Sequence, residues 1–200
     1  SSPHEARLGR EAFNKEVHTF GAAYAEKDMA SLVRNTDHLV FNSFGQYRRF
    51  SSRMTEQASE MGRTIQFGIR INPEHSEGTV PIYDPCAPGS RLGVRRKDFR
   101  PDLLDGITGL HWHNLCEQGA DCLERTVRSA ETGFAEFFEQ MAYVNFGGGH
   151  HITRPGYDLD LLVKTVTQFQ DRWNVTVYLE PGEAVALNAG FLVATILDVV

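Results

Sequence analysis

Three consecutive glycines, Gly147, Gly148 and Gly149, close the apolar run at 144–146 and are followed at once by His150 and His151. Backbone amides with no Cβ nearby can approach an anion closely, and a helix N-terminus after them adds positive potential. The stretch reads as a phosphate cradle or, through its histidines, as a metal-binding turn. A tight strand-to-helix turn without a ligand is the plain structural alternative. Three further stretches carry chemistry. "GLHWHNLCE" (109–117) sets His111 and His113 two apart on a strand, so both rings face one side and can meet an aromatic ligand. With His150, His151 and Cys116 they could also gather a zinc ion, but no histidine or carboxylate spacing completes a known metal motif, and no metal is assigned. "EPGE" (180–183) ends a strand on Glu180 before a rigid Pro181-Gly182 turn, a placement suited to a cationic ring nitrogen or an ammonium group. "DPCAPGSRLGV" (84–94) offers Arg91 among small residues, where a guanidinium fork can take a carboxylate or phosphate.

Composition narrows the setting. The 200 residues are 41% apolar and 23% charged, as in a globular protein able to bury a core. A net charge of -6 and the lack of a basic stripe argue against nucleic acid as a partner. The basic run 95–97 reads as a solvated loop. No apolar stretch reaches the roughly 18 residues of a membrane span, and the N-terminus does not look like a signal peptide. Three cysteines without a CxxC pair suit a reducing compartment, so a cytoplasmic location is expected. The chain starts at Ser1 without Met and ends on "FLVATILDVV", which has the look of a core strand, so a portion of a longer protein is expected.

These residues must be held by elements that the hydrophobic pattern marks. Strand-like runs lie at 18–25, 38–43, 65–72, 107–114, 142–148 and 175–181. Between them, Tyr47, Phe50 and Met54 mark a helix capped by Ser43; Leu123, Val127, Phe134, Phe138 and Met141 mark a long one. Leu162, Val166, Phe169 and Trp173 mark a third, opened by Asp158. Alternation of this kind predicts an α/β fold with parallel strands and helical crossovers, either a doubly wound sheet or a (β/α)8 barrel. Asn42, Asn72, His113, Gly147 and Glu180 sit at successive strand C-termini, and collecting such residues around one mouth favours the barrel. About six units precede a change of pattern at Glu183, so 1–182 is expected to be a barrel portion. The segment 183–200 is expected to begin a separate C-terminal β-domain as a strand or hairpin. The Pro- and Gly-rich stretch 73–106 is a long loop of the kind that usually serves function.

The joint order of these motifs is distinctive: arginine in a loop, histidine at the next strand's end, triple glycine after the following strand, then Glu-Pro-Gly. In this the chain resembles the fold-type III pyridoxal-phosphate (PLP) decarboxylases, the family of ornithine, diaminopimelate and carboxynorspermidine decarboxylases. The resemblance covers essentially the whole chain. It is greatest to the carboxynorspermidine branch, through "INPEHSEG", "YDPCAPGSRLG", "GLHWHNLCE", "NFGGGHHITRPGYD" and "YLEPGEA".

The resemblance implies a partial TIM barrel of the alanine racemase/ornithine decarboxylase type, with pyridoxal 5'-phosphate as cofactor. It implies a lyase of polyamine biosynthesis that decarboxylates carboxynorspermidine or carboxyspermidine to norspermidine or spermidine, working as a homodimer with active sites at the interface. His113 matches the histidine that stacks on the pyridoxal ring, the catalytic residue in this set. Gly147, Gly148 and Gly149 match the phosphate-binding glycines, Cys116 a phosphate-contacting position, and Glu180 the glutamate that pairs with the ring nitrogen. Arg91 matches an arginine near the site. Glu74 and Glu117 are placed to read the substrate's distal amines.

There are departures. Many relatives carry arginine after "EPG" to reach the phosphate; here the position is Glu183, and His150 and His151 are expected to compensate. None of the four lysines, Lys15, Lys27, Lys97 and Lys164, matches the family's cofactor-anchoring lysine, which lies upstream of the matched segment. The family's cysteine and aspartate supplied across the dimer interface would lie beyond Val200. The 200-residue chain alone is therefore expected to be inactive. Alternatives are a decarboxylase of another amino acid such as meso-diaminopimelate, a non-catalytic PLP-binding protein of the same fold, and a metal-dependent barrel hydrolase.

Overall fold

A computed structural model describes residues 1–78 and 80–198 of the chain. The elements run α1 (Pro3–Phe13), β1 (His18–Gly21), α2 (Met29–Asn35), β2 (His38–Phe41), α3 (Phe44–Glu60), β3 (Gln66–Arg70) and β4 (Ile107–His111). They continue through α4 (Ala120–Phe138), β5 (Tyr143–Asn145), α5 (Leu159–Trp173), β6 (Thr176–Tyr178) and α6 (Gly182–Ala186). All six predicted strands are present. They pair in parallel and in strict sequence order, β1 to β6. A doubly wound sheet would reverse its strand order at a switch point, whereas an unreversed order is that of a barrel wall. The sheet is thus part of a (β/α)8 barrel.

Alternation along the strands explains the layering. Leu39, Phe41, Phe67, Ile69, Leu110 and Val144 are buried on the face the helices cover. Beyond the strand ends, Trp112 stacks on Phe146 at 4.7 Å, and Phe138 meets Phe169 edge-on at 5.1 Å, joining α4 and α5 to the sheet. The opposite face carries His18, His38, Tyr143, Arg70, His111 and Asn145. The helices begin where their caps predict: the Ser43 side chain accepts from the Gln46 amide, and Asp158 from the Leu161 amide.

Several elements differ from the sequence pattern. The first strand stops at Gly21, because Tyr24 turns back to donate to the carbonyl of Val40 at 2.9 Å. The helix α1, which the strand and helix pattern above did not mark, buries only Ala6 and starts from a capping box between Ser2 and Glu5 with Pro3 at its first position. Where 183–200 was expected to open as a strand, residues 182–186 form the short α6 and 187–198 carry no regular structure, with Phe191 99% exposed. A strand needs a neighbour for its ladder, and none of the six described strands runs beside this segment. Val199 and Val200 of that segment, like Thr79 in the long loop, lie outside the described residues.

The long loop is anchored by the asparagines at the strand ends. Asn42 accepts from the Gly93 amide at 2.8 Å and donates to the Arg91 carbonyl at 2.8 Å. Asn72 donates to the carbonyls of Pro85 and Leu92, both at 3.3 Å. Both residues were expected at the mouth; there they hold backbone.

Candidate active site

The last row of the inner face builds the site. Register sets Arg70 beside His111 and His111 beside Asn145, all three at most 5% exposed. Arg70 donates to the His113 carbonyl at 2.6 Å, and its guanidinium lies 4.7 Å over the Phe20 ring. Phe20 in turn sits 5.2 Å from the His111 ring. Glu180, just beyond β6, faces this row. One carboxylate oxygen accepts from Asn145 Nδ2 at 2.9 Å; the other lies 3.5 Å from His111 Nε2, longer than a hydrogen bond but close for an electrostatic contact.

The glycine turn locks onto both sides of this group. The Gly147 amide donates to Asn145 Oδ1 at 2.8 Å, and the Gly147 carbonyl accepts from the Glu180 amide at 2.8 Å. The Gly148 amide donates to His113 Nδ1 at 3.1 Å, which leaves the proton of the neutral ring on Nε2 and fixes the ring's orientation. A Cβ on Gly148 would meet the Glu180 carbonyl oxygen at 2.0 Å, and one on Gly149 would meet that of Leu115 at 1.9 Å. No side chain fits, so the turn lies flat against the ends of β4 and β6. Such close packing accounts for two of the glycines without any ligand. What it does not account for is that neither the Gly149 nor the His150 amide donates to another described residue. Two unspent amides on a bare turn suit an anionic group.

The electrostatics separate the two titratable groups. Burial opposes charge on Glu180, but His111 and Asn145 outweigh it and bring the carboxyl down to about 2. Burial, together with the neighbouring His111 ring and the Arg70 guanidinium, pushes His113 down to about 4. Burial likewise lowers Arg70 to about 10. At neutral pH the site therefore presents a carboxylate, a neutral imidazole and a guanidinium side by side.

Of the predicted residues, the structure brings His113, Gly147, Gly148, Gly149 and Glu180 together. Arg91, Cys116 and Glu117 are exposed and stand outside this hydrogen-bonded group. Arg91 lines a surface cavity of about 490 Å³ with Arg95, Lys97 and Arg100; Cys116 and Glu117 line one of about 360 Å³ with Glu77, Tyr83 and Asn114. His150 is buried, with Nδ1 2.7 Å from the Tyr157 hydroxyl. His151 pairs with Glu183 at 2.5 Å, so the acid at the unusual position is bound to a histidine. The expectation that Glu74 reads amines meets a competing partner, Arg95, at 4.0 Å.

Sequence reasoning passed over Arg70 and Asn145 and gave His111 no role of its own. The signal for the first two was a charged or amide residue closing an otherwise apolar strand. The histidines once considered for zinc do not gather. Among the described residues the grouping with metal-ligand spacing is Glu16, His18 and His38, with donor atoms within 4.8 Å of one another. The His18 and His38 rings are stacked at 4.0 Å and 9°, so their lone pairs run side by side rather than converging on one ion.

Comparison with protein-family models finds no match. Among curated proteins, the carboxynorspermidine/carboxyspermidine decarboxylase of Campylobacter jejuni is 41% identical over 196 residues, covering 98% of this chain and 49% of that protein. The carboxyaminopropylagmatine decarboxylase of Synechocystis is 38% identical over 201 residues, covering 100% of this chain and 50% of that protein. Among solved structures, Campylobacter jejuni carboxynorspermidine decarboxylase complexed with norspermidine superposes with a TM-score of 0.80 at 40% identity, over 93% of this chain and 46% of that one. Over nearly its whole length the chain is similar to one half of these decarboxylases, and it shares their barrel fold. It spans about half the length of the curated relatives it matches. No helix, among the described residues, is long and apolar enough to cross a membrane.

Proposed function

We propose that the protein carrying this chain is a PLP-dependent carboxy-lyase that decarboxylates carboxynorspermidine or carboxyspermidine in polyamine biosynthesis. The observation that carries the reading is the group formed by His113, the three-glycine turn and a Glu180 carboxylate hydrogen-bonded by Asn145 at one oxygen and approached by His111 at the other. In this reading 1–182 is the cofactor-binding barrel portion and 183–200 leads into a β-domain. The working form is a cytoplasmic homodimer.

The residues present fit the cofactor. The amides of Gly149 and His150 take the phosphate, with His150 and His151 beside them and Cys116 nearby on the next loop. His113, neutral and fixed through Nδ1, offers its flat face to the pyridine ring. Glu180, anionic throughout the physiological range, holds a proton on the ring nitrogen. When bound, PLP supplies an electron sink for the pair released as CO2 departs. Arg70 adds positive potential beside His113, and Arg91, Glu74 and Glu117 line the approach for the substrate's carboxylate and amines.

The test uses the full-length protein with added PLP. A borohydride-trapped cofactor absorbance, and CO2 released from carboxynorspermidine or carboxyspermidine, would support the reading. Trapped cofactor with no CO2 from any candidate substrate would favour a non-catalytic PLP-binding protein. Release confined to meso-diaminopimelate would move the substrate class. A second reading, decarboxylation of carboxyaminopropylagmatine, draws support from the name of the Synechocystis relative, and the same assay with that substrate decides between them.

A further inference from the structure

We propose that His111 and Asn145 are paired positioning residues that hold the Glu180 carboxylate in one orientation at the barrel mouth. The inference rests on the cofactor reading above and goes beyond it by assigning what aims the carboxylate.

Glu180 needs such a device. Its side chain is 38% exposed, so an unheld carboxylate would be free to sample several rotamers. Its backbone is tied to Gly147, but that fixes only the root of the side chain. Two neighbouring strands supply the rest. His111 on β4 and Asn145 on β5 are register partners, and each approaches a different carboxylate oxygen.

The Asn145 amide cannot serve in the reverse sense. Its Oδ1 is already spent on the Gly147 amide, which leaves Nδ2 as the group facing Glu180. The glycine turn therefore sets the asparagine, and the asparagine sets the carboxylate. His111 is 1% exposed, and neither ring nitrogen has a hydrogen-bond partner among the described residues. A fully buried imidazole in that condition is costly unless it serves a neighbour, and its close polar neighbour is Glu180. Other ionisable groups near enough to act on Glu180 are His113, Arg70, His18 and Tyr143, each on a different part of the inner face. None of these is hydrogen-bonded to the carboxylate among the described contacts.

The test compares Asn145→Asp, His111→Phe and His111→Gln with Glu180→Gln in the full-length protein, after circular dichroism has shown each to be folded. The readouts are the dissociation constant for PLP and the bound cofactor's absorbance between pH 5 and 9. Asn145→Asp puts an acceptor where a donor stood. It should weaken PLP binding about tenfold, as loss of a hydrogen bond to a charged group does, and should shift the pH at which the spectrum changes. His111→Phe should do the same, and His111→Gln, which keeps an N–H donor, should recover most of the loss. Combined with Glu180→Gln, neither substitution should add a further effect.

The proposal is overturned if Asn145→Asp and His111→Phe leave affinity and spectrum unchanged in a protein where Glu180→Gln alters both. It is also overturned if they cost the same in the Glu180→Gln background, which would mark a general structural role. If the unsubstituted protein traps no PLP at all, the cofactor reading fails first and takes this inference with it.

Discussion

Asn145 and Glu180, the one ending β5 and the other just past β6, are joined by a 2.9 Å hydrogen bond. The same asparagine accepts the Gly147 amide at 2.8 Å. A single amide thus connects the glycine turn to the acid that faces the site, and the substitutions below probe what depends on it.

Replacing Glu180 with Gln keeps an acceptor for Asn145 but removes the charge. In the full-length protein PLP should still be taken up, while the rate of CO2 release falls by about 10²–10³, the usual size of losing a preorganised electrostatic group. Single-turnover measurements with carboxynorspermidine check this; an unchanged rate would remove Glu180 from the chemistry.

Stability should depend on pH through buried histidines. Burial holds His18, His38, His111, His113 and His150 all below their ordinary value. Between the ordinary value near 6.5 and the depressed one, the unfolded chain binds more protons than the folded one. Stability is therefore fully present above about pH 6.5 and is lost as pH falls, for His113 toward about 4. Urea midpoints at pH 7 and pH 5 should show the drop, and His113→Asn should make it smaller.

Glu180 adds a separate acid limb. With its carboxyl near 2 when folded, its contribution is present above the ordinary carboxylate range and is lost as pH falls from about 4.3 toward 2. Acid titration by circular dichroism should show a shallower limb in Glu180→Gln; identical limbs would mean that the carboxylate is not held as described.

Two glycines should respond in opposite directions to alanine. At Gly148 the new methyl would lie 2.0 Å from a backbone oxygen, so Gly148→Ala should cost about 2–3 kcal/mol. In the middle of α4, a Cβ on Gly133 meets nothing within 4 Å, and Gly133→Ala should stabilise by about 0.5–1 kcal/mol. Denaturant unfolding of the two variants side by side checks both signs.

Much of the barrel was legible because strands buried on one face leave apolar runs, and because helix starts announce themselves in residues such as Ser43 and Asp158. Residues 187–198 were not legible. Val193, Ile196 and Leu197 have the composition of a strand, but composition does not specify a partner for the ladder. Motif order singled out His113, the glycines and Glu180, which the structure brings into one hydrogen-bonded group. Arg70 and Asn145 were missed because nothing local distinguishes a polar residue that closes a strand from one that serves a site. Arg91, Cys116 and Glu117 fall on loops, whose path depends on contacts remote in sequence.

The loop between β3 and β4 leaves a last consequence. Asn42 and Asn72 grip it at 85 and 91–93, while Asn114 and Ser129 grip it at 75 and 73. Between those grips the stretch around Ile82 and Tyr83 is highly exposed, and it lines both the cavity of about 360 Å³ beside Cys116 and Glu117 and a neighbouring one of about 440 Å³ that includes Arg91. Folding and selectivity are therefore written in different letters of the same loop. A library randomised from 80 to 84 would sample what the mouth admits while the asparagines keep the frame, making this loop a ready cassette for retuning choice of ligand.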